Sequence, residues 1–200
     1  ETATRLHKIT GDSELLKNLE WFKNRAEEQN NLEAPIIRKP FFCSGCPHNS
    51  SLKVPEGKRA LGGIGCHYMA VDSIESTEFF TQMGGEGTPW IGIAPFSHEK
   101  HVFANLGDGT YKHSGILAIR ASLDANVNIT YKILYNDAVA MTGGQEIGSN
   151  WDVEGIVKQV LAEGVKKVSI LSEDPKRYNH LVKNGVKSLH RDAIITEQEE

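Results

Sequence analysis

The sequence predicts an α/β fold: a parallel sheet with helices on both faces. Three stretches carry that expectation. Val102 to Leu106 is a mainly apolar run of strand length, closed by Gly107-Asp108-Gly109. From Ser114 the apolar residues change to helical spacing, with Ile116, Leu117, Ile119 and Leu123 on one side. A second apolar run, Ile129 to Tyr135, ends at Asn136-Asp137. Strand, helix and strand in that order make a β-α-β unit, whose two strands run parallel. Apolar runs without alternation fit strands covered on both faces.

At the N-terminus, Asp12 or Ser13 is suited to cap a helix running to about Gln29, because its side-chain oxygen can accept an orphan N–H of the first turn. Leu15, Leu19, Phe22 and Ala26 recur at helical spacing. Asn30-Asn31 and Pro35 end the pattern, so residues 1–34 read as a lead-in helix and linker, and residues 35–200 as the main domain. Residues 35–40 form an extended approach, and Phe41 to Asn49 a loop carrying Cys43, Cys46 and His48. Asn49 to Arg59, with Pro55 and Gly57, reads as a short helix plus turn. Ala60 to Cys66 is a small-residue strand whose glycines admit close approach by a ligand or by neighbouring backbone. A helix begins over His67 to Val71. Phe79 to Pro95 is glycine-rich around Met83-Gly84-Gly85-Glu86-Gly87, and Ile91 to Phe96 is expected to be helical despite Gly92 and Pro95. After a loop over residues 146–151, Asp152 can cap a helix that turns Ile156, Val157, Val160 and Leu161 inward. Lys166 to Leu171 is a third strand, Asp174-Pro175 opens another helix, and Thr196 to Glu200 looks like the first turn of one more. Both ends read as cuts in a longer protein.

In such units the chemistry sits at the carboxyl ends of the strands. Asp108 and Asn136 occupy two such ends, 28 positions apart, and neighbouring parallel strands bring them to one edge. A carboxylate and an amide carbonyl are hard oxygen donors that suit octahedral Mg²⁺ together with waters and phosphate oxygens. Gly107 and Gly109 let backbone approach a phosphate, and N–H groups at the helix start can face the anion. The residues by themselves therefore point to a site for a Mg²⁺-bound diphosphate. Asp137 is expected to face away from it.

The spacing of Gly-Asp-Gly, 26 residues and Asn resembles the diphosphate motif of thiamine diphosphate enzymes. FFCSGCPHNSSLKVPEG, ALGGIGCHYM, TQMGGEGTPWIG, NLGDGTYKHSG and ITYKILYNDAVAMTGGQ together resemble the thiamine-binding domain of the indolepyruvate ferredoxin oxidoreductases, within the 2-oxoacid:ferredoxin oxidoreductase family. That resemblance runs from about Pro35 to the end. It implies thiamine diphosphate and Mg²⁺ as cofactors and oxidative decarboxylation of indolepyruvate or another aryl 2-oxoacid. Coenzyme A would be the acyl acceptor, and electrons would leave to ferredoxin through iron–sulfur clusters. It implies Asp108, Asn136 and the backbone of Ala138 as Mg²⁺ ligands. Gly107, Gly109, Thr110, Met141, Thr142 and Gly143 would lie around the diphosphate or thiazolium, with His48, Gly65, Cys66 and His67 as further cofactor contacts. Cys43, Cys46 and Cys66 match three ligands of a [4Fe-4S] cluster in kind, and no fourth cysteine exists in the sequence. Zinc, or cysteines without a metal beside the cofactor, are the other readings. Glu86 is a candidate acid–base group and His113 a candidate phosphate contact. The glutamate that activates the aminopyrimidine comes, in this family, from a separate pyrimidine-binding domain. The active site is therefore expected to be shared with other domains, and this chain alone to be inactive.

Composition bounds the alternatives. Two hundred residues, 39% hydrophobic and 24% charged, suit one globular domain with a real core. A net charge of −4 leaves no electrostatic footprint for nucleic acid or an anionic membrane. No apolar run approaches the ~18 residues that span a bilayer, and no signal-peptide core opens the chain. A cytoplasmic enzyme in a homo-oligomer is the expectation. Two competing functions are a non-oxidative thiamine-dependent decarboxylase of acetolactate-synthase type and a binding module without chemistry.

Overall fold

The computed structural model describes residues 2–31, 39–74, 76–148 and 152–199. The chain divides into two compact units, residues 1–40 and 41–200. The expected boundary between 34 and 35 lies outside the described residues, as do most of the extended approach at 35–40 and the end of the loop at 146–151.

The first unit holds two helices, α1 (Thr2–Thr10) and α2 (Ser13–Asn30). The Asp12 carboxylate caps α2, accepting the N–H groups of Glu14 at 2.9 Å and Leu15 at 3.3 Å. Helix α1 is an addition to the single helix expected here. Neither helix buries a residue, because two helices without a third element enclose no core.

The second unit runs α3 (His48–Ser51), β1 (Ala60–Gly62), a 3-10 turn (Cys66–Met69) leading into α4 (Ala70–Ser73), β2 (Thr77–Phe80), α5 (Thr88–Ile93), a 3-10 turn (Ala94–Phe96) and β3 (Val102–Gly107). Next come α6 (Asp108–Thr110), a π-helical turn (Tyr111–Gly115), α7 (Ile116–Asp124), β4 (Ile129–Leu134), β5 (Ala138–Val139), a 3-10 turn (Ala140–Thr142) and β6 (Gln145–Glu146). The chain then forms α8 (Val153–Ala162), β7 (Ser169–Ser172), a 3-10 helix (Pro175–Asn184), β8 (Lys187–His190), a 3-10 turn (Arg191–Ala193) and α9 (Ile194–Glu199).

Four strands form one parallel sheet in the order β2-β1-β3-β4. The expected α/β class and parallel sheet are what the chain forms. Strands β3 and β4 pair over their full length, from Val102 opposite Ile129 to Gly107 opposite Leu134, so the two motif-bearing ends share one edge. Leu106, Tyr111, Ile119, Ile156 and Val160 pack into one core cluster, and Leu61, Trp90, Val102 and Ala104 into another. Phe103 and Asn105 alternate to the opposite side of β3, and both are buried.

Several local expectations are corrected. The helix after β3 starts at Asp108 rather than at Ser114, so Gly-Asp-Gly is a strand-to-helix junction and not a separate turn. The π-turn that follows inserts extra backbone and rotates the helix face. Ala118, Ile119 and Ser122 are therefore the buried positions of α7, and Leu117 is 57% exposed. Strand β1 stops at Gly62, where the backbone of Gly63 and Gly65 is taken up by close packing with side chains. Strand β2 (Thr77–Phe80) runs into the start of the stretch read as glycine-rich, and β8 has no counterpart in the sequence reading. Strand β7 pairs with β8 as a separate parallel ladder instead of extending the four-stranded sheet.

Candidate cofactor site

Asp108 is the first residue after β3 and is 5% exposed. One carboxylate oxygen, Oδ1, accepts the N–H of Gly109 at 2.8 Å. The other, Oδ2, accepts the N–H of Asn136 at 2.8 Å and of Asp137 at 2.6 Å. Register alone produces this arrangement: β3 and β4 end level, and the chain leaving β4 folds back over the end of β3. Asn136 and Asp137 lie beyond β4, with Asp137 in the left-handed region at φ 56. Alternation along β4 therefore does not set the direction of the Asp137 side chain, and the Asp137 backbone joins the site through its N–H. The Asn136 side-chain oxygen accepts the N–H of Ala138 at 3.1 Å.

This donor set fits Mg²⁺. Each side-chain oxygen carries two acceptor positions. Asp108 Oδ1 and Asn136 Oδ1 each use one within the protein, so each keeps one for a hard cation. Thr110, two residues into the helix, is buried. Gly109, Lys112, His113, Val139, Glu146 and Ile147 line an open cleft of about 360 Å³ beside that helix start. The β5–β6 hairpin forms the other wall, and Lys112 donates to the Ile147 carbonyl across it. Met141, Thr142 and Gly143 are at the hairpin tip, where the Thr142 hydroxyl donates to Gln145 Oε1 at 2.7 Å. Met141 is half exposed, so it is not a core residue here. The His113 ring bonds the Ser114 hydroxyl at 2.7 Å.

The cysteine and histidine residues form the adjoining region. The Cys46 N–H donates to the Cys43 carbonyl at 3.0 Å, closing a turn. Cys46 Sγ lies 3.3 Å from His48 Nδ1. The His48 ring stacks on Phe42 at 5.6 Å and on His67 at 6.3 Å. Burial lowers the His48 pKa. His67 falls to about 4 through burial and then the neighbouring His48. The Cys66 thiol is pushed up by burial, then by Cys46 and Cys43. Among the described residues no three histidine, cysteine or acidic side chains converge as a metal-holding group. Cys43, Cys46 and Cys66 lie near enough for their charges to act on one another, and a cluster held by these three thiols would still need a fourth ligand.

His67 joins the two regions. Its ring lies against Gly65, where an added Cβ would fall 2.7 Å from Cε1, and under Gly107, where the figure is 3.4 Å. It is 2% exposed, and Glu86 is fully buried. Glu86 Oε2 accepts the Gly84 N–H at 2.8 Å, and burial raises the carboxyl pKa.

Two residues absent from the sequence reading matter. Lys132, on β4, reaches across to donate to the carbonyls of Ser51 and Lys53 at 2.9 and 3.0 Å, fixing the C-terminal end of the short helix α3, which begins at His48. Burial lowers its pKa to about 7. The Tyr131 hydroxyl donates to the Glu86 carbonyl at 2.9 Å. A lysine within the apolar run Ile129 to Tyr135 was the available signal.

A parallel α/β domain with an acidic residue and an amide at adjacent strand ends is the architecture of a thiamine enzyme's cofactor half. The chain matches the model of the thiamine pyrophosphate enzyme C-terminal TPP-binding domain over residues 63–181, more than half its length, and it belongs to that family. Its curated relatives are more particular. It is 29% identical to the indolepyruvate oxidoreductase subunit IorA of Archaeoglobus fulgidus over 163 residues, 72% of this chain and 26% of the relative. It is 27% identical to IorA of Thermococcus kodakarensis over 65% of this chain and 23% of the relative, and 25% identical to that of Methanothermobacter marburgensis over 58% and 21%. The chain thus spans about a quarter of the length of these relatives. No described helix is long and apolar enough to cross a membrane.

Proposed function

We propose that this chain is the Mg²⁺–thiamine diphosphate-binding part of a 2-oxoacid:ferredoxin oxidoreductase that decarboxylates indolepyruvate or another aryl 2-oxoacid oxidatively to an acyl-CoA. The observation that carries the cofactor reading is the Asp108 carboxylate, which is oriented by three backbone N–H groups and keeps one oxygen position open beside Asn136. The substrate reading rests on the relatives named indolepyruvate oxidoreductase.

In this reading Asp108 and Asn136, with the Ala138 carbonyl, hold the metal. The Gly107–Thr110 backbone at the helix start receives the diphosphate. His48, Gly65, Cys66, His67, Met141, Thr142 and Gly143 border the thiazolium. When bound, thiamine diphosphate supplies the carbon nucleophile and electron sink for decarboxylation. The chain's own groups bind, orient and shield it. The cofactor's pyrimidine, the coenzyme A, the ferredoxin and any iron–sulfur cluster are handled with other domains of a cytoplasmic homo-oligomer. Calorimetric titration of thiamine diphosphate with and without Mg²⁺ tests the central claim. Metal-dependent binding supports it, and equal binding in both conditions sinks it.

A further inference from the structure

Three side chains at the carboxyl edge of the sheet bury polar atoms whose pairing the reading above leaves unexplained. The Glu86 Oε1 and His67 Nε2 atoms have no hydrogen-bond partner, and neither does the side-chain amide of Asn105. Each belongs to a residue that is at most 2% exposed. Leaving such groups unpaired costs about 1–3 kcal/mol apiece, so a sequence that buries two together at one place is expected to pair them. They are together. A Cβ on Gly63 would fall 2.6 Å from Glu86 Cγ, 2.9 Å from His67 Nε2 and 2.9 Å from the Asn105 carbonyl oxygen. Gly63, just past β1, therefore lets the carboxyl and the imidazole approach over bare backbone, where any side chain would separate them.

The two partners sit on segments that reach the cofactor edge from different directions. His67 is wedged beneath Gly107, immediately before Asp108. Glu86 belongs to the glycine-rich loop entering α5. That loop is also held by the Tyr131 hydroxyl on the Glu86 carbonyl and by Glu86's own bond to Gly84.

We propose that Glu86 is a positioning residue: its carboxyl hydrogen-bonds His67 Nε2 across Gly63 and so ties the 82–87 loop to the edge carrying Asp108, presetting the backbone that receives the cofactor. This rests on the cofactor reading for its consequence but not for the bond itself. The two atoms are not bonded to each other in this structure, so the bond requires the Glu86 carboxyl to turn toward the imidazole beside Gly63.

The test uses the full chain. In the ¹⁵N spectrum of the wild type without cofactor, His67 Nε2 should show the shift of a hydrogen-bonded nitrogen, and Glu86→Leu should move it to that of a free one. An unbonded Nε2 in the wild type overturns the proposal. Mg²⁺–thiamine diphosphate affinity by calorimetry then reads the consequence. Glu86→Gln keeps an acceptor for Gly84 and a donor for His67, so it should bind within about twofold of wild type, whereas Glu86→Leu and His67→Phe should each lose about tenfold or more. The double variant should be no worse than either single one, as for two members of one contact. Equal loss in Glu86→Gln and Glu86→Leu, or additive losses in the double variant, overturns the positioning role. Wild type that binds no cofactor while Nε2 is bonded sinks the cofactor reading and the positioning role together, and leaves the Glu86–His67 bond standing.

Discussion

The Asp108 carboxylate accepts the backbone N–H of Asn136 at 2.8 Å, across the ends of two paired strands. That bond makes the site a product of strand register. The Gly107–Leu134 pair puts β3 and β4 level, and the two chains leave the sheet at the same height. A slip of one residue would turn Asp108 to the other side of the sheet edge and remove both amide donors.

Asp108→Ala should weaken Mg²⁺–thiamine diphosphate binding by at least tenfold, about 1.4 kcal/mol or more. It removes a charged ligand and leaves the Asn136 and Asp137 amides without an acceptor. Titration calorimetry at fixed Mg²⁺ reads it directly, and an unchanged affinity would remove Asp108 from the site.

Lys132 gives a pH dependence of defined sign. Its pKa is about 7 in the folded chain against 10.5 for an unperturbed lysine. Between those values the unfolded chain binds more protons, so this group makes stability rise with pH. Below about 7 both states are protonated and the cost of the buried charge is fully present. Each pH unit inside the window is worth about 1.4 kcal/mol. Urea unfolding at pH 7 and pH 9 should show the rise in wild type and its loss in Lys132→Met.

The thiols should alkylate in a definite order. Cys43 is exposed, while burial and two neighbouring cysteines push the Cys66 thiol up. The thiolate is the reactive form, so limited iodoacetamide treatment at neutral pH should label Cys43 first and Cys66 last by peptide mass spectrometry. Cys66 reacting first would contradict the packing around His67.

The 200-residue chain alone should release no CO₂ from indolepyruvate or phenylpyruvate, even with coenzyme A and an artificial electron acceptor present. The expectation follows from the proposed sharing of the active site with other domains, since a general acid–base group supplied from outside the chain is typically worth ~10²–10⁴ in rate. Sustained turnover would move the search for the proton donor into this chain, starting with Glu86.

The sequence by itself determined the class of fold and that Asp108 and Asn136 end neighbouring strands at one edge. Strand-length, mainly apolar runs mark the strands, and the polar turn residues at Asp108 and Asn136 mark their ends, because both signals are local. The cap of α2 by Asp12 and that of α8 by Asp152 were legible for the same reason. Only the tertiary structure decided the rest. The helix start at Asp108 and the rotation that exposes Leu117 follow from a π-turn that periodicity does not announce. The bonds of Lys132 to carbonyls about 80 positions earlier, and the convergence of Glu86 and His67 on Gly63, are set by which strands become neighbours. Residues distant in the chain meet there, and no local pattern records the encounter.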